Sequence, residues 1–160
     1  MKTLVVFFSR SGYTRRVAKQ IAMELHADLM PIVENRSRMG VFGYQRCVIE
    51  AVLGFGATIR PLPLDPADYE LVLLGTPIWA WHLSSPLREF ARRHGKSIQR
   101  SAFFCTMGGT GAARAFSELE KLLGHAPLAT LALTDTEIDD ERVGPKIDRF
   151  VAALSAPVAR

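Results

Sequence analysis

The stretch Leu4-Val5-Val6-Phe7-Phe8-Ser9-Arg10-Ser11-Gly12-Tyr13-Thr14-Arg15-Arg16-Val17-Ala18 reads as strand, turn and helix in immediate succession. Leu4 to Phe8 is a short continuous apolar run rich in Val and Phe, the pattern of a strand buried on both faces. Ser9 to Tyr13 has turn composition. From Thr14 to Leu25, Val17, Ala18, Ile21, Ala22 and Leu25 recur at helical spacing, with Arg15, Arg16, Lys19 and Glu24 opposite.

Working outward, the same alternation continues. Asp28 to Val33 is a weaker strand, and Val41 to Phe55 a helix of unusual apolarity ended by Gly54 and Gly56. Pro61, Pro63 and Pro66 mark a stiff connection to a buried strand over Tyr69 to Leu74. Ser85-Pro86 reads as the N-cap and first residue of a helix that turns Leu87, Phe90 and Ala91 inward. Ala102 to Met107 is a strand, Gly108 to Gly111 a glycine loop, and Ala113 to Leu123 a helix. Leu128 to Leu133 is a fifth strand, and Val143, Ile147, Phe150, Val151 and Leu154 mark a last helix. Five strands alternating with five helices predict a single α/β domain over residues 1–160, a three-layer doubly wound fold with a five-stranded parallel sheet. Ligands of such sheets bind at the carboxyl ends of the strands, where strand order reverses.

Composition narrows the function classes. The 160 residues carry a formal net charge of +4, with 48% hydrophobic and 22% charged residues, which excludes a disordered chain. Residues 1–60 hold nine Lys/Arg against four Asp/Glu, so the basic excess lies early. Nucleic acid is not an expected partner. The two cysteines, Cys47 and Cys105, form neither a CxxC nor a Cys/His cluster, so a disulfide framework or zinc site is not expected. No leader-peptide pattern stands at the start, and Gln45, Arg46 and Glu50 interrupt the longest apolar stretch. A cytoplasmic setting is the expectation.

Three strand-end loops carry the chemistry. Ser9-Arg10-Ser11-Gly12-Tyr13-Thr14 places three hydroxyls and a glycine at a helix N-terminus, where unpaired N–H groups and the helix dipole favour an anion. It is not a P-loop, because GxxxxGK[ST] is absent. Gly75-Thr76-Pro77-Ile78-Trp79-Ala80-Trp81-His82-Leu83-Ser84 holds both tryptophans of the chain. They either pack beneath the loop or present a wall to a planar ligand. Cys105-Thr106-Met107-Gly108-Gly109-Thr110-Gly111 offers close backbone approach. Gly109 to Arg114 imitates GxGxxG only in part, with Arg in the last place.

In this order the three loops resemble the flavodoxin-like family of FMN-binding proteins, over nearly the whole chain. The first loop is a variant of that family's [ST]-x-[ST]-G-x-T phosphate loop. The resemblance implies FMN as cofactor, with its phosphate held by Ser9, Arg10, Ser11, Gly12, Tyr13 and Thr14. Thr76, Pro77, Ile78 and Trp79 would then line the ribityl chain and one side of the ring. Met107, Gly108, Gly109, Thr110 and Gly111 would approach its polar edge. No catalytic side chain and no metal is expected.

The chain departs from electron-shuttling flavodoxins in two ways. It is basic overall, with an acidic cluster only at Asp135, Glu137, Asp139, Asp140 and Glu141. Ala80 follows Trp79 where glycine is common, and positive φ costs a non-glycine residue about 1–2 kcal/mol, so the one-electron-reduced flavin should be less favoured. These points favour an oxidoreductase passing electrons from NAD(P)H to a quinone or similar acceptor. The alternatives are a one-electron carrier serving a redox protein, and a cofactor-free binding module of the same fold. Arg10, Arg36 and Arg38 are candidates to steer an anionic cosubstrate. Phe42, Tyr44, Val48, Ile49, Val52 and Leu53 exceed a one-sided stripe, and core packing plus a homodimer face is preferred over a substrate wall or a membrane surface. A phosphatase is excluded because Cys105 lacks an Arg six residues on. A response regulator is excluded because no acidic pair ends the first strand.

Overall fold

The computed structural model describes residues 1–35, 40–53 and 57–155. The readings placed on Arg36, Arg38, Gly54, Phe55 and Gly56, and on the side chain of Tyr44, lie outside the described residues. The elements in chain order are β1 (Thr3–Phe7), α1 (Tyr13–Leu25), β2 (Asp28–Pro31), α2 (Gly40–Leu53), β3 (Leu71–Trp79), β4 (His82–Leu83), α3 (Ser85–His94), β5 (Ser101–Met107), α4 (Ala112–Leu123), β6 (Thr130–Thr134), α5 (Asp135–Asp139) and α6 (Gly144–Ser155).

Five strands run parallel in the order β2-β1-β3-β5-β6, and β4 adds a short antiparallel pairing to β3. The sheet therefore has six strands rather than the five expected. The difference arises in the Thr76–Ser84 segment, which is not a loop throughout. β3 runs on to Trp79, and the chain folds straight back as a hairpin. Short α5 is likewise additional to the expected helices. Its capping box pairs the Thr134 side chain with the Glu137 backbone and the Glu137 side chain with the Thr134 backbone. At α3 the start shifts by one residue. Ser84 is the N-cap, and Pro86 follows Ser85 in the first turn.

The central strands β1, β3 and β5 are buried on both faces, as their continuous apolar runs require. Leu4, Val6, Val72, Leu74 and Phe103 face a cluster that includes Leu87 and Phe90 of α3 and Ala115 and Leu119 of α4. The alternate residues Val5, Phe7, Leu73, Phe104 and Leu133 face Val17, Ala18 and Ile21 of α1 and Ile147 and Phe150 of α6. Each fully buried Leu or Phe contributes about 1.5–3 kcal/mol relative to exposure. On α2, Cys47 is buried, while Phe42, Ile49, Val52 and Leu53 are exposed. Among the described residues no helix is long and apolar enough to cross a membrane.

Topology places the crevice. The chain passes from β1 to β2 on one side, and β3 lies on the other side of β1, so strand order reverses between β1 and β3. Register aligns Phe7 with Gly75, Pro77 with Thr106, and Met107 with Thr134. The loops after β1, β3 and β5 therefore meet at one edge of the sheet.

Candidate functional site

The first loop gathers donors around an oxygen. Gly12 is the N-cap of α1 at φ 105, with no side-chain cap and no acidic residue in the first turn. Only glycine enters this left-handed region without strain. The Ser9 Oγ accepts from the backbone N–H of Gly12 at 3.1 Å and of Arg15 at 3.3 Å. A neutral hydroxyl oxygen thus already sits where the helix terminus favours an anion. Ser11 is exposed and Arg10 half-buried. Tyr13 donates its hydroxyl to Asp139 at 2.7 Å, and that hydrogen bond raises the phenol above its ordinary value. Arg16 reaches the same carboxylate at 3.3 Å. Thr14 is buried, and its hydroxyl lies 2.8 Å from that of Thr106, a tie between the first loop and β5.

The second segment is a strained hairpin. Trp79 pairs with His82 across a two-residue turn, in which Ala80 has φ 47 and Trp81 φ 64. Positive φ at both central residues is the turn that matches strand twist, and Asn-Gly is its usual sequence. Each non-glycine residue there costs about 1–2 kcal/mol. Ala80 nevertheless stands at positive φ in this fold, at that cost. The hairpin holds it there. Thr76 is fully buried, and its hydroxyl lies 2.9 Å from the Ser84 Oγ, accepts from the Ser84 N–H and also reaches the Pro77 carbonyl. It clips the hairpin to the start of α3.

The tryptophans divide between the two readings. Trp79 is 4% exposed and packs edge-on against Phe8, with ring centroids 5.6 Å apart. Trp81 is 59% exposed, and its indole N–H donates to Thr110 Oγ1 at 3.1 Å. The aromatic wall that faces outward is Trp81, and Trp79 belongs to the core. The turn decides this: residues two apart share a face along a strand, but Trp81 stands in the turn, at φ 64, and leaves the face that Trp79 keeps. Pro77 and Ile78 are half-buried beside it.

The third loop is fitted to the second. Gly111 has φ 117, and a Cβ there would lie 2.7 Å from the Trp81 Cα and 2.9 Å from the Ile78 Cγ2. Glycine is required both by conformation and by contact. Gly108 and Gly109 are exposed, and a Cβ on either, or on Gly12, would meet nothing within 4 Å. Met107 is half-buried at the end of β5. Backbone at Gly12, Gly108 and Gly109 is open, in loops at the same end of the sheet as the exposed Trp81 indole.

The flanking chemistry is settled by pairing and burial. Burial pushes the Cys105 thiol up to about 12, so it is not a nucleophile. His82 is half-buried, and burial, then the charge of Arg114, hold its imidazole below its ordinary value. In the acidic segment, Lys146 bonds Glu137 at 2.5 Å, Arg142 pairs with Asp140, and Asp139 takes Tyr13 and Arg16. The sequence reading missed the Trp81–Thr110 brace and the Thr14–Thr106 tie. The turn sequence Ala80-Trp81 carries no hairpin signal, and the second contact spans 92 residues.

No family model and no curated protein matches the sequence. Solved structures do. A flavoprotein from Lactobacillus acidophilus in complex with FMN superposes with a TM-score of 0.70 at 21% identity, over 87% of this chain and 97% of that one. A flavoprotein from Bacteroides eggerthii gives 0.73 at 21% identity, over 93% and 97%. Two-electron reduced flavodoxin from Megasphaera elsdenii gives 0.61 at 16% identity, over 96% and 99%. The chain has the flavodoxin-like fold, a parallel α/β sheet with helices packed against it.

Proposed function

We propose that this protein binds FMN at the carboxyl ends of β1, β3 and β5 and passes electrons from NAD(P)H to a quinone or similar acceptor. The carrying observation is the meeting of a donor-lined helix terminus with an exposed, braced indole at one sheet edge. Fold-level likeness to flavoproteins supports the reading and does not by itself define an activity. The N–H groups of the Ser9–Thr14 loop, with the Ser9 and Ser11 hydroxyls, would hold the phosphate. Trp81 would take the ring-lining role that the resemblance implied for Trp79, and Met107 to Gly111 would approach the polar edge. Thr14 and Thr76 would support these loops from beneath through their buried hydroxyl contacts. When bound, FMN supplies hydride and single-electron chemistry, while the chain orients it and excludes water.

A one-electron carrier is the second reading. One specific observation favours it: Ala80 already has φ 47, which removes the conformational penalty that argued against a half-reduced cofactor. The test is the visible spectrum of the purified protein, with identification of any released chromophore. Bound FMN that is lost in Gly12→Glu but kept in Gly12→Ala supports the cradle, since both variants share the strain and only one adds a negative charge. Steady NAD(P)H consumption with a quinone supports the enzyme. A long-lived half-reduced form without turnover supports the carrier. A folded, colourless protein that refuses added FMN sinks both.

A further inference from the structure

A charged, open cavity of about 380 Å³ lies behind the hairpin, lined by the last turn of α2, by His82 of β4 and by one stripe of α4. That volume lies within the range of small-molecule sites, about 300–1,000 Å³. Arg114, Ser117, Glu118 and Lys121 are spaced i, i+3, i+4 and i+7, so they share one face of α4. Val52 and Leu53, both exposed, form the apolar side.

The charges in this cavity do not cancel. Arg88, 4% exposed, forms the floor. Its Nε donates to Glu118 at 2.5 Å, and its terminal nitrogens donate to the carbonyls of Glu50 and Leu83, each at 3.3 Å. Glu118 is thereby committed to Arg88, with its other oxygen 3.9 Å from the His82 Nδ1. Among the described residues no ion pair engages Arg114 or Lys121. Three permanent cations thus face one carboxylate, beside an apolar wall.

We infer that this cavity binds a small amphipathic anion, with phosphate, sulfonate or carboxylate oxygens on Arg114 and Lys121 and an apolar body against Val52 and Leu53. His82 adds a polar group beside the anion. The ligand leans on the hairpin whose tip, Trp81, is braced to Thr110.

The experiment titrates 1-naphthalenesulfonate into 15N-labelled protein, with flavin content measured separately on the same sample so that the two readings fail independently. Saturable shifts are expected at Leu53, His82, Ser117 and Glu118. Arg114→Glu and Lys121→Glu, at exposed positions, should each weaken binding about fivefold, the upper end for loss of one exposed charge contact. Displacement by NADPH identifies a nucleotide phosphate as the source, and displacement by 1-naphthoate an organic acid. Shifts centred on Ser9–Thr14, affinity unchanged in both variants, or equal binding of the neutral 1-naphthalenemethanol would overturn the inference.

Discussion

Replacing Gly111 by alanine probes how the second and third loops are joined. The residue has φ 117, where an L side chain costs about 1–2 kcal/mol. The new Cβ would also lie 2.7 Å from the Trp81 Cα, a backbone atom of a turn that is itself strained. Over-packing of that kind costs about 1–3 kcal/mol. The two terms give about 2–5 kcal/mol, with the middle near 3.5 kcal/mol. For a chain of this size each kcal/mol lowers Tm by about 2–4 °C, so a fall of about 10 °C is expected. Gly109→Ala is the control. Gly109 lacks positive φ, and its Cβ would meet nothing within 4 Å, so a change within about 0.5 kcal/mol is expected. Thermal and urea unfolding, followed by far-UV circular dichroism, measure both. Trp81 fluorescence should shift in Gly111→Ala as the bond to Thr110 is lost. Equal Tm values for the two variants would refute the close approach on which the site's shape depends.

Other perturbations follow the same physics. Ala80→Gly relieves positive φ at φ 47 and should stabilise by about 0.5–1 kcal/mol once the added freedom of the unfolded chain is subtracted, as read by urea unfolding. Arg88→Ala leaves Glu118 half-buried without its partner and should cost about 3–5 kcal/mol, and adding Glu118→Gln should recover part of that loss in a double-mutant cycle. The Lys146 ammonium, then the Thr134 N–H, lower the Glu137 carboxyl from 4.5 to about 2. Its folded value lies below its unfolded one, so its contribution is full above about pH 4.5 and lost as pH falls toward 2. Stability of Glu137→Gln, measured by denaturant midpoint across that window, should be flatter in pH than that of the parent.

Much of this architecture was legible because it rests on local patterns. Leu4 to Phe8 and Ala102 to Met107 are apolar runs without alternation, and only strands covered on both faces tolerate that. Val17, Ala18 and Ile21 keep helical period, and α1 buries those residues. The glycines of the first and third loops marked the strand ends correctly. The hairpin escaped notice because Ala80-Trp81 has no turn signature. Its positive φ values are imposed by the Ile78–Leu83 pairing, the Thr76–Ser84 clip and the packing of Gly111 against Trp81. With the hairpin unseen, the resemblance put Trp79 along the ring, whereas Trp79 is buried and Trp81 is the exposed indole.

The amino-acid sequence alone determined the alternation of strands and helices and the glycine-bearing loop between β1 and α1. Each of these follows from periodicity, chain polarity or local composition within a few residues. Tertiary structure alone decided that β1 and β3 are neighbours, that Thr14 meets Thr106, that Trp81 stands outward on Thr110, and that Arg114 and Lys121 share a cavity with Val52 and Leu53. These depend on which strand pairs with which and on how closely two backbones approach. Contacts between residues far apart in the chain arise from packing that no local window contains.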